Sequence, residues 1–502
     1  MLRLFQVFFL FCGFFSCFYW NARAQGNDTV QVKLSLRNVV YLAKTQSSSV
    51  KYVQNRDVNY YWRYKNFQTQ FMPQLDLSGN MPYYINQISP VQQPDGSVEF
   101  IKENKLEVSD QISLRQSIPF TGAHISASTS LLRLEDFVQG TSKYTGSPFK
   151  ISITQPIFSY NWMKWYKITE PLVYEEAQKD FIESMEEIAI TATDRFFDYL
   201  KIQTNFNLAK NNLKNSQDNL KIAKVRQKLG TISENDFARI QLTVYNAQKA
   251  LSKARMDLKN ADFELKSYIG LDQNQVIELD MPLEMYLFEV DKDKALDEAL
   301  ANRKEVPHYE RRLILADRDL VQAKRDNGLS ASLRASYGVD NEAAMLSDIY
   351  NMSEGERSQV VKLGVSIPIM DWGRSESKVR LAESRRDLVI FDVEKEKQDF
   401  ERRIIVQVER FSLLEDQIKT AEEADKVAES GYKIALQKFQ NGEISISDLN
   451  ISLQEREQAK RDYIATLETY WKSYYQLREL TLYDFELNNK IWYDNPMLSN
   501  QE

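Results

Sequence analysis

Cysteine and histidine are nearly absent from this sequence. The cysteines, Cys12 and Cys17, both lie among the first twenty residues, and the histidines are His124 and His308. The rest of the chain can therefore form neither disulfides nor thiolate metal sites. No nucleophile elbow, phosphate loop or metal-ligand cluster is found either. We predict no catalytic residues, no cofactor and no metal site, and we expect each histidine to be an exposed or packing residue.

Long apolar runs are equally scarce in a chain of 502 residues with a net charge of −7. A membrane-spanning helix needs about 20 apolar residues, and the one such run is Leu4–Trp20 at the N-terminus. It follows Arg3 and precedes Ala22-Arg23-Ala24, which is typical of a cleaved secretory signal. We predict that residues 1–24 are a signal peptide. A retained anchor, or lipidation at Cys17, is the alternative.

The chain contains an internal repeat with an offset of 212 positions. LGTISENDF (229–237) and NGEISISDL (441–449) align Gly230 with Gly442, and the same offset aligns Pro156 with Pro368. Two short motifs at one shared separation indicate a domain-scale duplication.

Between these landmarks, apolar residues recur at alternating spacings of three and four, which predicts long helices packed as coiled coils. Residues 161–268 and 373–485 are each predicted to form a helical hairpin, whose longer arm spans ~100 Å at ~1.5 Å per residue. The repeated phrase is the turn: glycine ends one helix, and Ser233 or Ser445 caps the next.

Four other segments alternate apolar and small or polar residues, near 71–81, 148–159, 329–340 and 359–370. This pattern is typical of membrane β-barrel strands, although a half-buried sheet in a soluble domain has it too. The first repeat carries an inserted alternating hairpin, 105–134, which adds barrel strands or forms an extracellular flap. Tryptophans near the helix-side ends of the strands are candidates for an interfacial girdle: Trp62, Trp162, Trp165 and Trp372.

Four or six strands are too few to close a membrane barrel, and open sheet edges are not viable in lipid. If these are membrane strands, several copies of the chain must share one barrel.

In its motifs and their order the chain resembles the TolC-like outer membrane efflux proteins, in particular their bacteroidete branch. The resemblance covers nearly all of residues 34–485. It begins with LSLRNVVYLAKTQS (34–47) and is most specific in ALANRKEVPHYERRLILADRDLVQAK (299–324), GVSIPIMDWGRSESKVRLAES (364–384) and FQNGEISISDLNISLQEREQAKRDY (439–463).

The resemblance implies a mainly α fold with β: periplasmic helical hairpins forming an α-barrel, and four or six strands per protomer in a shared outer-membrane β-barrel. It implies a homotrimer in the outer membrane of a Gram-negative bacterium, reaching into the periplasm. This trimer would be a passive exit duct that docks a periplasmic adaptor and an inner-membrane pump. Drugs, metals and secreted proteins all remain open as cargo. A periplasmic coiled-coil adaptor or scaffold without a barrel is the alternative.

The resemblance also implies roles for the hairpin turns at the periplasmic mouth. Asp236 and Asp448 would line the pore as a ring of carboxylates, or serve only as acids of the first helical turn. Phe439 and Ile444 occupy positions where the family has a tyrosine–arginine latch, so that latch cannot form as such. The residues expected to dock the adaptor are Leu229, Gly230, Thr231, Asn441, Gly442 and Glu443.

The predicted domain organisation has two repeats after the signal peptide. Residues 25–290 form the first repeat and residues 291–485 the second, and a tail covers residues 486–502.

Overall fold

The computed structural model describes residues 31–285, 288–351, 353 and 355–499. The predicted signal peptide, with both cysteines, lies outside these residues. The helices are α1 Leu36–Gln46, α2 Ser48–Gln70, α3 Trp162–Lys228, α4 Glu234–Ile269, α5 Lys292–Asn302, α6 Glu305–Asp326, α7 Leu346–Ile349, α8 Arg374–Asn441, α9 Ile446–Thr481 and α10 Pro496–Ser499. The strands are β1 Gln31–Leu34, β2 Gln74–Gln92, β3 Val98–Ile118, β4 Ala123–Asp136, β5 Thr141–Ile157, β6 Val276–Leu279, β7 Ser330–Ala343, β8 Glu356–Ser366, β9 Tyr483–Asp484 and β10 Asn489–Lys490.

Two long helical hairpins dominate the molecule. α3 and α8 have 67 and 68 residues, which is ~100 Å each, and they pack against α4 and α9 respectively. Their buried positions include small and aromatic residues, such as Ala189, Ala192 and Phe196 on α3, which are all fully buried.

The main hydrophobic core lies along the hairpins at a distance from their turns. There α1, α3 and α9 meet the short parallel pair formed by β1 and β6. The chain end is fastened to the same region, because the Asn495 amide donates to the Asp57 carboxylate at 2.9 Å.

The larger strands form one antiparallel sheet in the order β2-β3-β4-β5-β7-β8. The inserted hairpin is thus an integral part of this sheet, as β3 and β4, and the strand number is six. Its turn lies at the helix-side end of the sheet, where the Asn161 amide donates to Pro119 O at 2.8 Å. The inserted strands therefore reach the same level as the others, which excludes a flap attached only at the far end.

Strand bounds differ from the prediction at both edges of the sheet. β8 ends at Ser366 rather than 370, because Pro368 has no N–H to donate to a ladder. β2 and β3 are longer than predicted, and pair from Asn86↔Asn104 to Gln92↔Val98 after β4 has ended. These seven pairs make a two-stranded ribbon that extends ~24 Å past the sheet at ~3.4 Å per residue. We call it the outer ribbon.

Among the described residues, no helix combines the length and apolar character that crossing a membrane requires.

Candidate functional site: hairpin turns and the two-faced sheet

The α3–α4 turn is built from local hydrogen bonds. Gly230 takes a left-handed conformation with φ +73°, which costs a glycine little. The Ser233 hydroxyl then caps α4 by accepting from the Asp236 amide at 3.0 Å. Asp236 accepts in turn from the Ser233 hydroxyl at 2.7 Å. The turn sequence thus fixes where one helix ends and the next begins.

The α8–α9 turn has the same design with one addition. Gly442 has φ +85°, and the Ser445 hydroxyl accepts from the Asp448 amide at 3.2 Å. The Asp448 carboxylate also accepts from the Ser445 backbone amide at 3.0 Å, completing a capping box. Hydrogen bonds from the Ser445 hydroxyl and amide lower the pKa of Asp448. Both predicted pore aspartates are therefore helix-capping residues; their pore role stays a prediction.

The two turns are not equivalent, because Arg226 joins them. Its guanidinium donates to Gln440 O at 2.6 Å and to Phe439 O at 3.4 Å, which satisfies carbonyls at the end of α8. A Cβ atom at Gly442 would lie 3.2 Å from this guanidinium, whereas one at Gly230 would meet no atom within 4 Å. Our sequence analysis missed Arg226, although a basic residue in the last turn of a helix was a visible signal.

Apolar packing holds the hairpin ends at Phe439 and Ile444, the positions at which we expected that the family's polar latch cannot form. Phe439 is 5% exposed and belongs to a small cluster, against which Ile444 packs. The other buried members of this tip cluster are Ala223, Ile240, Tyr432, Ala435, Ile446 and Leu449.

Above the tip cluster, a polar network connects the two hairpins. The Arg456 guanidinium lies over the Tyr432 ring at 4.0 Å and donates to the Asn212 side chain at 3.1 Å. Asn215 donates to the Tyr432 hydroxyl at 3.1 Å. The network joins α3, α8 and α9, so the hairpin ends of one chain are coupled by both apolar and polar contacts.

The six-stranded sheet has one apolar and one polar face, because side chains alternate along each strand. Cross-strand pairs such as Leu77↔Ile112 and Leu333↔Leu363 place apolar side chains together. The apolar face carries Leu75, Leu77, Ile112, Leu114, Ile125, Ala127, Ile151, Ile153, Leu333, Ala335, Tyr337, Val361, Leu363 and Val365. The opposite face carries Asp76, Ser113, Arg115, Ser126, Ser128, Lys150, Ser152, Thr154, Arg334, Ser336 and Lys362.

The apolar face is exposed within a single chain: Leu75 is 71% and Val361 76% exposed. A contiguous apolar surface of this size marks contact with a membrane or another protein.

The predicted girdle tryptophans lie at different levels. Trp162 and Trp165 are in the first turn of α3, and Trp372 precedes α8 and is 90% exposed. Trp62 lies within α2, twelve residues before β2 begins, which is about three helical turns from the sheet. It is therefore farther from the sheet end than the sequence had indicated.

The two histidines are far apart. His308 lies beside Glu176 at 3.2 Å on α3, and His124 lies on the polar face of the sheet, 3.0 Å from the Ser117 hydroxyl. In the described ranges, no group of three or more potential ligands is arranged to hold a metal ion.

Comparison with known proteins agrees with this architecture. Residues 295–481 match the family model of outer membrane efflux proteins. No curated protein matches the chain. The fold is similar to that of the Campylobacter jejuni outer membrane channel CmeC, with a TM-score of 0.63 at 14% identity, over 93% of this chain and 88% of CmeC. It is also similar to the Vibrio cholerae outer membrane protein VceC, with a TM-score of 0.60 at 12% identity, over 91% of this chain and 97% of VceC.

A third similar structure is the open state of the Neisseria gonorrhoeae outer membrane channel MtrE, with a TM-score of 0.57 at 12% identity and 91% coverage of both chains. The chain therefore has the fold of outer membrane channels, as the sequence predicted. Residues 295–481 resemble an outer membrane efflux protein domain, in agreement with the resemblance that the sequence motifs indicated.

Proposed function

We propose that this protein is the outer-membrane exit duct of a tripartite export system. In this role the six-stranded sheet crosses the outer membrane and the helical hairpins extend through the periplasm. The single observation that carries the proposal is the sheet itself, with an apolar outer face and a polar inner face. A periplasmic adaptor or scaffold without a barrel would have no use for that apolar face.

Closure of the barrel requires more than one copy of the chain. In the described sheet, β2 and β8 each have a neighbour on one side only, and unpaired edges are not viable in lipid. Three copies of six strands would give 18 strands, a number at which membrane barrels leave an aqueous channel. A homotrimer in which β8 of one copy pairs with β2 of the next satisfies every edge.

The hairpin turns are the proposed docking site for a periplasmic adaptor and, through it, an inner-membrane pump. Leu229 projects from the α3–α4 turn and is 71% exposed, and its counterpart in the other turn is Asn441. An exposed apolar side chain at the far end of a ~100 Å helix is accessible to a partner. Thr231 and Glu443 flank the two glycines at the same level.

The experiment that tests the duct combines membrane fractionation with channel recording. We expect the full-length chain in the outer-membrane fraction, migrating as a trimer unless heated, and forming conducting channels in planar bilayers. A soluble periplasmic monomer would contradict the proposal.

A further inference from the structure

The polar face of the sheet carries an unusual row of side chains near its helix-side end. The cross-strand register places Ser117, His124, Thr154, Arg334 and Lys362 directly opposite one another across five strands. Directly opposed residues have Cβ atoms ~5 Å apart on one face. Arg334 and Lys362 are thus adjacent cations, an arrangement that destabilises a sheet unless something compensates for it.

No such compensation is found among the described residues. Arg334 and Lys362 have neither an ion pair nor a hydrogen bond to a described acidic side chain. Other cations of the same face are paired: Arg115 donates to Asp76 at 3.0 Å, and Lys143 lies 2.9 Å from Glu342. Asp76 lies on β2, which the proposed barrel places beside β8 of another copy, but Arg115 already engages it.

The row is also chemically uniform. Arginine and lysine are donors with no acceptor, and hydroxyl and imidazole groups can donate as well. Toward the far end of the sheet the charge reverses, because Asp340 and Glu356 are opposite each other on the same face. On β7 and β8 the charge of this face is thus sorted along the strands, basic near the helices and acidic at the far end.

We propose that this row, centred on Arg334 and Lys362, is an anion-binding site in the lumen of the duct. It rests on the proposed function, because the polar face lines a lumen only in the closed barrel. Three copies would place three such pairs of adjacent cations around the lumen, each with donors beside it. Its ligands are cargo molecules that carry phosphate, sulfate or carboxylate groups, which match arginine in charge and geometry.

The test uses purified full-length protein in planar bilayers, with tripolyphosphate as the probe. We expect added tripolyphosphate to reduce single-channel conductance. In the R334Q/K362Q variant the half-blocking concentration should rise by about tenfold, since two unit charges at contact distance are removed. The R334K variant keeps the positive charge, so its half-blocking concentration should stay near that of the wild type.

The matched control is K143Q, which removes a cation from the same face that already has an acidic partner. We expect tripolyphosphate to block K143Q at the same concentration as the wild type. If tripolyphosphate blocks R334Q/K362Q as strongly as the wild type, or if K143Q becomes equally resistant to it, the proposed anion site is wrong while the proposed duct stands. If the wild-type chain forms no conducting channel, the proposed function itself fails.

Discussion

Among the described residues, Glu186 is the most completely buried acid. It is 0% exposed and lies 2.8 Å from the Lys44 ammonium and 3.0 Å from Arg478 Nε. Burial alone would raise the pKa of Glu186, but these two cations outweigh it and lower the pKa to about 2. The carboxylate therefore links α1, α3 and α9 through charge, with the Tyr493 hydroxyl of the C-terminal tail as a further donor.

Glu186→Gln should destabilise the helical region by about 3–5 kcal/mol, because it leaves the Lys44 ammonium without its ion-pair partner and Arg478 with Asp484 alone. Since the pKa of this acid falls below its unfolded value on folding, its contribution is present above about pH 4.3 and is lost as the pH falls toward 2. The difference between variant and wild type should therefore shrink in acid. Thermal unfolding followed by circular dichroism across this pH range measures it.

Glu264→Gln is the control for this prediction. Glu264 pairs with Arg195 at 3.2 Å, and both side chains are largely exposed, so its loss should cost less than about 1 kcal/mol. Equal losses in the two variants would contradict the importance of the buried cluster.

The capping aspartates permit a separate prediction about the pore. Asp236→Asn with Asp448→Asn keeps a side-chain acceptor for each cap but removes the charge. We expect the ratio of K⁺ to Cl⁻ permeability to fall in planar bilayers, because carboxylate rings favour cations. Asp218→Asn, an acid of α3 that pairs with Lys221, is the control. Unchanged selectivity in the double variant would contradict the pore role and leave helix capping as the only role of the two aspartates.

Sequence reasoning succeeded at the residue scale where the interaction is local. The caps of Ser233 and Ser445 involve partners three positions away, and turn chemistry alone determines them. Arg226 with Gln440, or Glu186 with Arg478, joins residues 214 and 292 positions apart. No periodicity within one helix can reveal such partners, because they depend on how separate hairpins pack.

At the element scale, the two turn glycines should respond differently to alanine. Gly230→Ala meets only the left-handed backbone strain, about 1–2 kcal/mol. Gly442→Ala adds a methyl group 3.2 Å from the Arg226 guanidinium, which must move and weaken its bond to Gln440. We expect faster amide hydrogen exchange across 436–449 in Gly442→Ala than across 224–237 in Gly230→Ala.

Arg226→Ala provides the check on this mechanism. In that background the extra effect of Gly442→Ala should vanish, because the neighbour that it displaces is gone. An undiminished effect would show that Arg226 does not distinguish the turns.

Adaptor docking is best tested at the more open turn. Gly230→Arg should abolish export, because the new side chain would occupy the surface at which the adaptor is proposed to dock. The trimer should still assemble, because a Cβ atom at this position meets no atom of the chain within 4 Å. Gly140→Arg is the matched control: Gly140 also has a positive φ, +66°, with nothing within 4 Å of its Cβ position, but it lies at the far end of the sheet. Normal export by Gly230→Arg would place docking elsewhere.

The existence and type of the long elements could be predicted, since a 67-residue helix repeats its pattern many times over. The outer ribbon could not. Its strands mix Ile88 and Phe100 with charged residues on both faces, so the period-two signal is weak. The place of the inserted hairpin in the sheet likewise depended on pairing, which a single strand pattern does not specify.

For the whole molecule, the need for several copies followed from counting strands, before any pairing was known. The size of the barrel could not be predicted in this way, because it depends on whether the inserted hairpin joins the sheet. The anion row was hidden for the same reason: Arg334 and Lys362 are both visible as polar positions of separate strands, and only the register shows that they are adjacent.

The outer ribbon gives the molecule a marker of orientation. Gly96 forms its turn, with a φ of +86° and no atom within 4 Å of its Cβ position, so an inserted peptide tag would disturb little. If the sheet crosses the outer membrane with the helices in the periplasm, antibodies should label a tag at Gly96 on intact living cells. A tag at Gly230 should be labelled only after the cells are permeabilised. The ribbon would then be the part of this protein that antibodies and bacteriophages encounter first.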